Sequence, residues 1–239
     1  MTEAPKIEEI RAALGGDPRI GFPGVPIKIS ILEQAVVLEG EVRDVAAKKV
    51  ALERVAAVRG VGGIVDRLHV APAEQQADAE ITDRVKDAFL QEPAFREVAL
   101  RTMDKGRLVA QYEPIGARGK IDIEVGDGVV TLNGTLSGLE RKRLAGVLAW
   151  WVPGSRDVVN GIVVEPPEVD TDDLMREAVH LVLEKDPFVD ASQIAIQVRD
   201  ARVTLRGIVP SPSEKRMAEA DAWYVFAVDD VTNELEVRP

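Results

Sequence analysis

Residues 121–134, Ile-Asp-Ile-Glu-Val-Gly-Asp-Gly-Val-Val-Thr-Leu-Asn-Gly, alternate apolar and polar side chains on both sides of a Gly-Asp-Gly turn. Successive side chains of a strand point to opposite faces, so each arm reads as a half-buried strand and the two as a hairpin. The pattern recurs 94 positions earlier at Ile27-Lys-Ile-Ser-Ile31 and 73 positions later at Ile194-Ala-Ile-Gln-Val198. The same offsets align Val36, Val37, Leu38 and Gly40 with Val130, Thr131, Leu132 and Gly134, and with Val203, Thr204, Leu205 and Gly207. They also align Ile64, Asp66, Leu68 and Val70 with Val158, Asn160, Ile162 and Val164, and with Val231, Asn233, Leu235 and Val237. A period that survives strands, turns and a helix without a gap is a tandem repeat. The hairpin turns fall at Glu33-Gln34, Gly126-Asp127-Gly128 and Asp200-Ala201.

Working outward, each hairpin is preceded by a helical pattern ending at an acidic residue and proline: Asp17-Pro18, Glu92-Pro93 and Asp186-Pro187. Proline disfavours helix at the residue before it, which sets the helix end. A second helix follows the aligned glycine. Its starts are read as Ser137 with Glu140 and Ser211 with Glu214, both fitting a capping box, and as Asp44 in the first copy. At 100° per residue Ala51, Val55 and Val58 share one face, as do Ala145, Ala149 and Val152, and Ala218, Ala222 and Val225. These small side chains let the helix lie close to the sheet. The reading is an α+β chain of three tandem αββαβ domains, each a three-stranded mixed sheet with two helices on one face. Boundaries are expected at 1–72, 73–167 and 168–239, with Glu165–Asp170 and its Pro166-Pro167 as a stiff, extended spacer. The uncovered sheet face, carrying Val37, Thr131 and Thr204, is a candidate contact surface.

The second copy carries an insertion at about 99–119. Val98–Met103 and Arg107–Tyr112 flank Asp104-Lys-Gly106, which predicts an extra hairpin. Its expected role is to pad an interface between copies, the alternative being a functional loop. Gly116-Ala-Arg-Gly119 is only a weak match to a phosphate-clamping loop.

Composition narrows function. A net charge of −11, divided as 0, −3 and −8 over the three copies, disfavours nucleic acid. No cysteine is present, which excludes thiolate metal sites and cysteine nucleophiles, and His69 and His180 lie in different copies. No nucleophile elbow, P-loop or metal-binding motif occurs, so neither an enzyme nor a cofactor is expected. No stretch is apolar enough to span a membrane, and no signal peptide stands at the start, so the expected location is the cytoplasm.

The Gly128-to-Gly134 segment, a helix, Pro153-Gly154 and then Asp157-Val-Val-Asn-Gly-Ile-Val-Val164 together resemble the BON domain, named from bacterial osmotic-stress and nodulation proteins. The resemblance covers nearly the whole chain as three copies. It departs in the third, where Ala227 replaces Gly60 and Gly154, so that turn is expected to be built differently. What the resemblance implies is a non-enzymatic binding or adaptor protein with a phospholipid or envelope-stress role. Alternatives are a cytosolic sensor of a small ligand or monovalent cation, and a structural homo-oligomer.

Two sets of columns are candidate sites. Lys48-Lys49, Lys142-Arg143 and Lys215-Arg216 align near the start of the second helix and are candidates for lipid phosphates, against the reading of a solvated helix face. Trp150-Trp151 aligns with Trp223-Tyr224, and the Trp column lies about 140° from the sheet-facing side. These aromatics are therefore candidates for contacts between repeats or between identical chains, the alternative being a membrane-interface or ligand contact. Expected partners are a phospholipid or another protein.

Overall fold

A computed structural model describes residues 3–20, 27–32, 35–72 and 74–238. The turn expected at Glu33-Gln34 lies outside the described residues. The chain divides into two compact units, 1–71 and 72–239. The first contains α1 (Glu3–Gly15), β1 (Lys28–Leu32), β2 (Ala35–Val42), α2 (Val45–Ala56) and β3 (Ile64–Val70). β1 pairs antiparallel with β2, and β2 pairs parallel with β3. Asp44 caps α2 by accepting from the Ala47 amide at 2.8 Å.

The second unit holds two further copies. The first of these comprises α3 (Asp78–Gln91), β4 (Val98–Asp104), β5 (Arg107–Tyr112), β6 (Gly119–Gly126), β7 (Val129–Leu136), α4 (Leu139–Trp151), β8 (Asp157–Asn160) and β9 (Val163–Val164). The next comprises α5 (Asp172–Lys185), β10 (Ile194–Arg199), β11 (Arg202–Val209), α6 (Pro212–Tyr224) and β12 (Asp230–Val237). β6–β7 and β10–β11 are antiparallel hairpins, and β8, β9 and β12 run parallel to their neighbours. The α+β repeat is therefore present three times with one topology. The predicted helix faces are its core: Ala51, Val55, Ala145, Ala149, Ala218, Ala222 and Val225 are all 0% exposed.

The aligned glycine earns its place sterically. Gly40, Gly134 and Gly207 have φ of +145°, +128° and +139°, and a Cβ on Gly134 would stand 2.1 Å from the Lys120 carbonyl oxygen. Ala227 has φ of +67° where Gly60 and Gly154 have +82° and +92°. The third turn is thus built like the others, with a left-handed alanine, and not differently as the substitution suggests.

Three further expectations are corrected. The second sheet has six strands, because β4 joins it parallel to β6 and carries β5 antiparallel on its outer edge. Val98 and Leu100 enter the core beside Phe89, Phe95, Ile121 and Ile123, whereas β5 is exposed at every position. The insertion widens a sheet instead of padding an interface. Ser137 does not cap α4: Gly138 stands at the cap, and the Leu139 amide donates to the Glu168 carboxylate at 2.8 Å. Ser211 does cap α6, but Glu214 turns away to accept from the Asp190 amide at 2.9 Å. On the sheet face read as a candidate contact surface, Val37 is 5% exposed and Thr131 and Thr204 are half-buried. No helix among the described residues is long and apolar enough to cross a membrane.

Candidate functional site

The aligned cations meet different fates. Lys48 on α2 is buried and donates from Nζ to the Leu68 carbonyl at 2.6 Å, with Asp66 at 3.0 Å. Lys215 on α6 makes the same bond to the Leu235 carbonyl at 2.6 Å. Both tie the second helix to the last strand, as does the column of Asx residues below them. The Asn160 and Asn233 side-chain amides donate to the Lys142 and Lys215 carbonyls at 2.7 and 2.8 Å. Asp66 takes this column in the first copy, and its carboxylate selects the Lys48 ammonium instead.

Lys142 does not reproduce the strand contact. Its ammonium lies 4.8 Å from the Phe226 ring centroid, and its pKa is lowered chiefly by burial and then by the Arg143 charge. Arg143 is 1% exposed. Its Nη2 donates to both oxygens of Asp170, at 2.6 and 2.7 Å, and its Nε to the Phe226 carbonyl at 3.2 Å. Phe226 belongs to the third copy and Asp170 to the connection between copies, so this cation links one repeat to the next. Lys49 is half-buried and Arg216 exposed. The six candidates therefore do not form one exposed set: Lys48 and Arg143 are buried, and the half-buried Lys215 is bonded to a strand carbonyl.

The aromatic candidates collect at the same joint. Trp150 stacks on Tyr224 across the two copies, with ring centroids 5.8 Å apart and planes 16° from parallel. Trp151 donates from Nε1 to Asp221 Oδ1 at 2.9 Å and packs partly against the core of its own copy. Trp223 is 2% exposed. On α5, Leu181 lies against the second-copy core, and Lys185 donates to both oxygens of Glu92, at 2.9 and 3.0 Å. The connection lies along the helix start through Glu168 and Asp170 and does not hold the copies apart as a spacer would.

Sequence reasoning singled out Arg143 and the aromatics, took Glu92 and Asp186 only as helix ends and Asp170 only as the end of a spacer, and passed over Lys185 and Asp221. One signal was available: Asp221 shares its column with Arg54 and Leu148, a change from cation to apolar to acid that a solvated face does not explain. Asp221 is 3% exposed, and its second oxygen meets no hydrogen-bond donor among the described residues. Burial, above all, raises its pKa to about 8; the Trp151 hydrogen bond opposes the rise and the neighbouring Asp186 carboxylate adds to it. His69 lies in β3 and His180 in α5, beside Glu184 at 3.4 Å. Among the described residues no group of three or more His, Asp or Glu side chains stands close enough to hold a metal.

A family model described as "BON domain" matches residues 7–72, 77–166 and 171–239. No curated protein matches the sequence. One similar solved structure is described as "Structural studies of CdsD, a structural protein of the Type III secretion system (TTSS) of Chlamydia trachomatis". It is 15% identical with a TM-score of 0.26, over 98% of this chain and 92% of that one. Another, the C-terminal domain of CdsD from the same organism, is 15% identical with a TM-score of 0.24 over 100% of both chains.

Proposed function

Because this chain belongs to the BON domain family, as three tandem copies, we propose that it is a non-enzymatic adaptor for protein partners in which the docked second and third copies act as one rigid presenting body. The observation that carries this reading is Arg143: a cation in the column suited to lipid phosphates is instead buried between Asp170 and the Phe226 carbonyl, where it joins two copies. An anionic lipid surface attracts cations that remain near water. Lys48 and Lys215 are likewise occupied by backbone carbonyls, so the aligned cations favour domain assembly over headgroup binding. The exposed strand β5, with Leu108 and Val109 each 41% exposed, offers apolar surface to a partner.

The test is sedimentation of the purified chain with cardiolipin or phosphatidylglycerol vesicles at low salt. The adaptor reading expects the protein to stay in the supernatant. Pelleting that is abolished by Lys49→Glu with Arg216→Glu would replace this reading with phospholipid binding.

A further inference from the structure

The acidic residue before each proline and one aligned position of the second helix, filled by Arg54, Leu148 and Asp221, form a pair whose chemistry changes along the chain and which is in contact in the first and third copies. In the first copy Asp17 faces Arg54, with Oδ2 and Nη2 at 3.2 Å, an ordinary ion pair. In the second the corresponding residues are Glu92 and Leu148; Leu148 has no charge to offer, and Glu92 is taken by Lys185 of the next copy at 2.9 Å. In the third they are Asp186 and Asp221, two carboxyl groups where the first copy has an acid and a base.

Asp221 cannot escape to water, since it is 3% exposed. Its Oδ1 is bonded by Trp151, which reaches over from α4 of the preceding copy, and its Oδ2 has no donor among the described residues. The nearby charges are committed elsewhere: Lys185 of α5 bonds Glu92 at the end of α3, and Arg143 of α4 bonds Asp170. Asp186 itself accepts from the Phe188 amide at 2.8 Å through Oδ1. Two carboxylates in this setting are mutually repulsive, and a carboxyl group without a cation in a buried site takes up a proton.

We propose that a proton shared by Asp221 and Asp186 latches the joint between the second and third copies, holding Asp221 neutral under Trp151, and that its loss loosens their docking. The occupant of the position filled by Arg54 in the first copy is, in this account, a proton. The direction of the pH effect follows from burial under the neighbouring copy, the chief cause that raises the Asp221 pKa to about 8, which outweighs the Trp151 hydrogen bond that favours the carboxylate. The docked form binds the proton more tightly than the loosened form. Docking weakens as pH rises and levels off above about pH 8, the change in its equilibrium constant being at most about tenfold per pH unit. Partner binding that needs the docked body would then respond to proton concentration.

The decisive experiment is carboxyl ¹³C NMR of the full chain labelled at aspartate, paired with Trp emission between pH 5 and 9. The latch requires one aspartate carboxyl to titrate far above the others and to vanish in Asp221→Asn. It also requires a pH-dependent emission change that is absent in both Asp221→Asn and Trp151→Phe. If no aspartate titrates above pH 5.5, or if the Asp221→Asn emission follows the wild-type pH curve, the latch does not exist. Should Asp221→Asn fail to fold, Asp186→Asn decides: the high-titrating carboxyl must move down, and an unchanged midpoint overturns proton sharing.

Discussion

The guanidinium of Arg143 on α4 and the carboxylate of Asp170 in the connection to the third copy meet through Nη2 at 2.6 and 2.7 Å, with the Arg143 side chain 1% exposed and that of Asp170 38%. Charge-assisted bonds of this kind are strong when one partner is shielded from water. The same arginine reaches the Phe226 carbonyl, so one side chain connects two copies and the segment between them. Truncation removes packing as well as charge and strands Asp170. Arg143→Ala is expected to lower the stability of residues 72–239 by about 2–4 kcal/mol. Arg216→Ala, at an exposed position of the same column, should stay within about 0.5 kcal/mol. Denaturant titration monitored by amide exchange in each unit checks both.

The turn after α6 stores backbone strain at Ala227, whose φ is +67°. A left-handed residue with a Cβ costs roughly 1–2 kcal/mol that glycine avoids, partly offset by the extra freedom of glycine in the unfolded chain. Ala227→Gly should therefore be neutral to stabilising, by up to about 1 kcal/mol, a rare case of a glycine substitution that does not destabilise. A midpoint lower than wild type in urea would contradict it.

Gly207 behaves oppositely. A Cβ there would stand 1.9 Å from the Gln193 carbonyl oxygen, and φ is +139°. The obstacle is backbone at the entry to β10, which cannot yield without disturbing the β10–β11 register. Gly207→Ala should cost more than about 3 kcal/mol and selectively expose β10 amides to exchange.

Asp17 couples the first unit to pH. The hydrogen bond from Arg19 is the chief cause of a pKa well below the usual carboxylate range, with Arg54 assisting against the cost of burial. Its side chain is 5% exposed, covered by guanidinium groups that are themselves 37% and 53% exposed. A carboxyl whose folded pKa is depressed contributes stability above its unfolded value near 4 and loses it as pH falls. The first unit should weaken below about pH 4. Asp17→Asn should remove that dependence and cost about 1–2 kcal/mol at pH 7, by thermal melting of the full chain at both pH values.

The repeat, the order of its elements and the sheet-facing side of each second helix were legible from residue spacing alone. Ile121 to Gly134 suffices for the hairpin, because alternation is a local consequence of strand geometry. Ala149 and Ala222 report helix packing for the same reason. The column of Gly40, Gly134 and Gly207 was visible as an alignment, but its meaning at Gly134 and Gly207, a carbonyl within reach of any Cβ, required the neighbouring backbone.

What the linear pattern could not determine is where long polar side chains end. Arg143 and Arg216 occupy one column and Lys142 and Lys215 another, yet one arginine is buried and the other exposed. The difference arises because the third copy docks over that end of the second copy's helix and buries Arg143. Asp221 likewise resembles a solvated helix residue until Trp151 and Asp186 close over it. Backbone conformation is dictated within a few residues, so the sequence alone determined the three-fold α+β repeat. Desolvation depends on which distant surfaces come together, and it was this tertiary packing that turned candidate lipid contacts into a joint and a surface acid into a buried carboxyl pair.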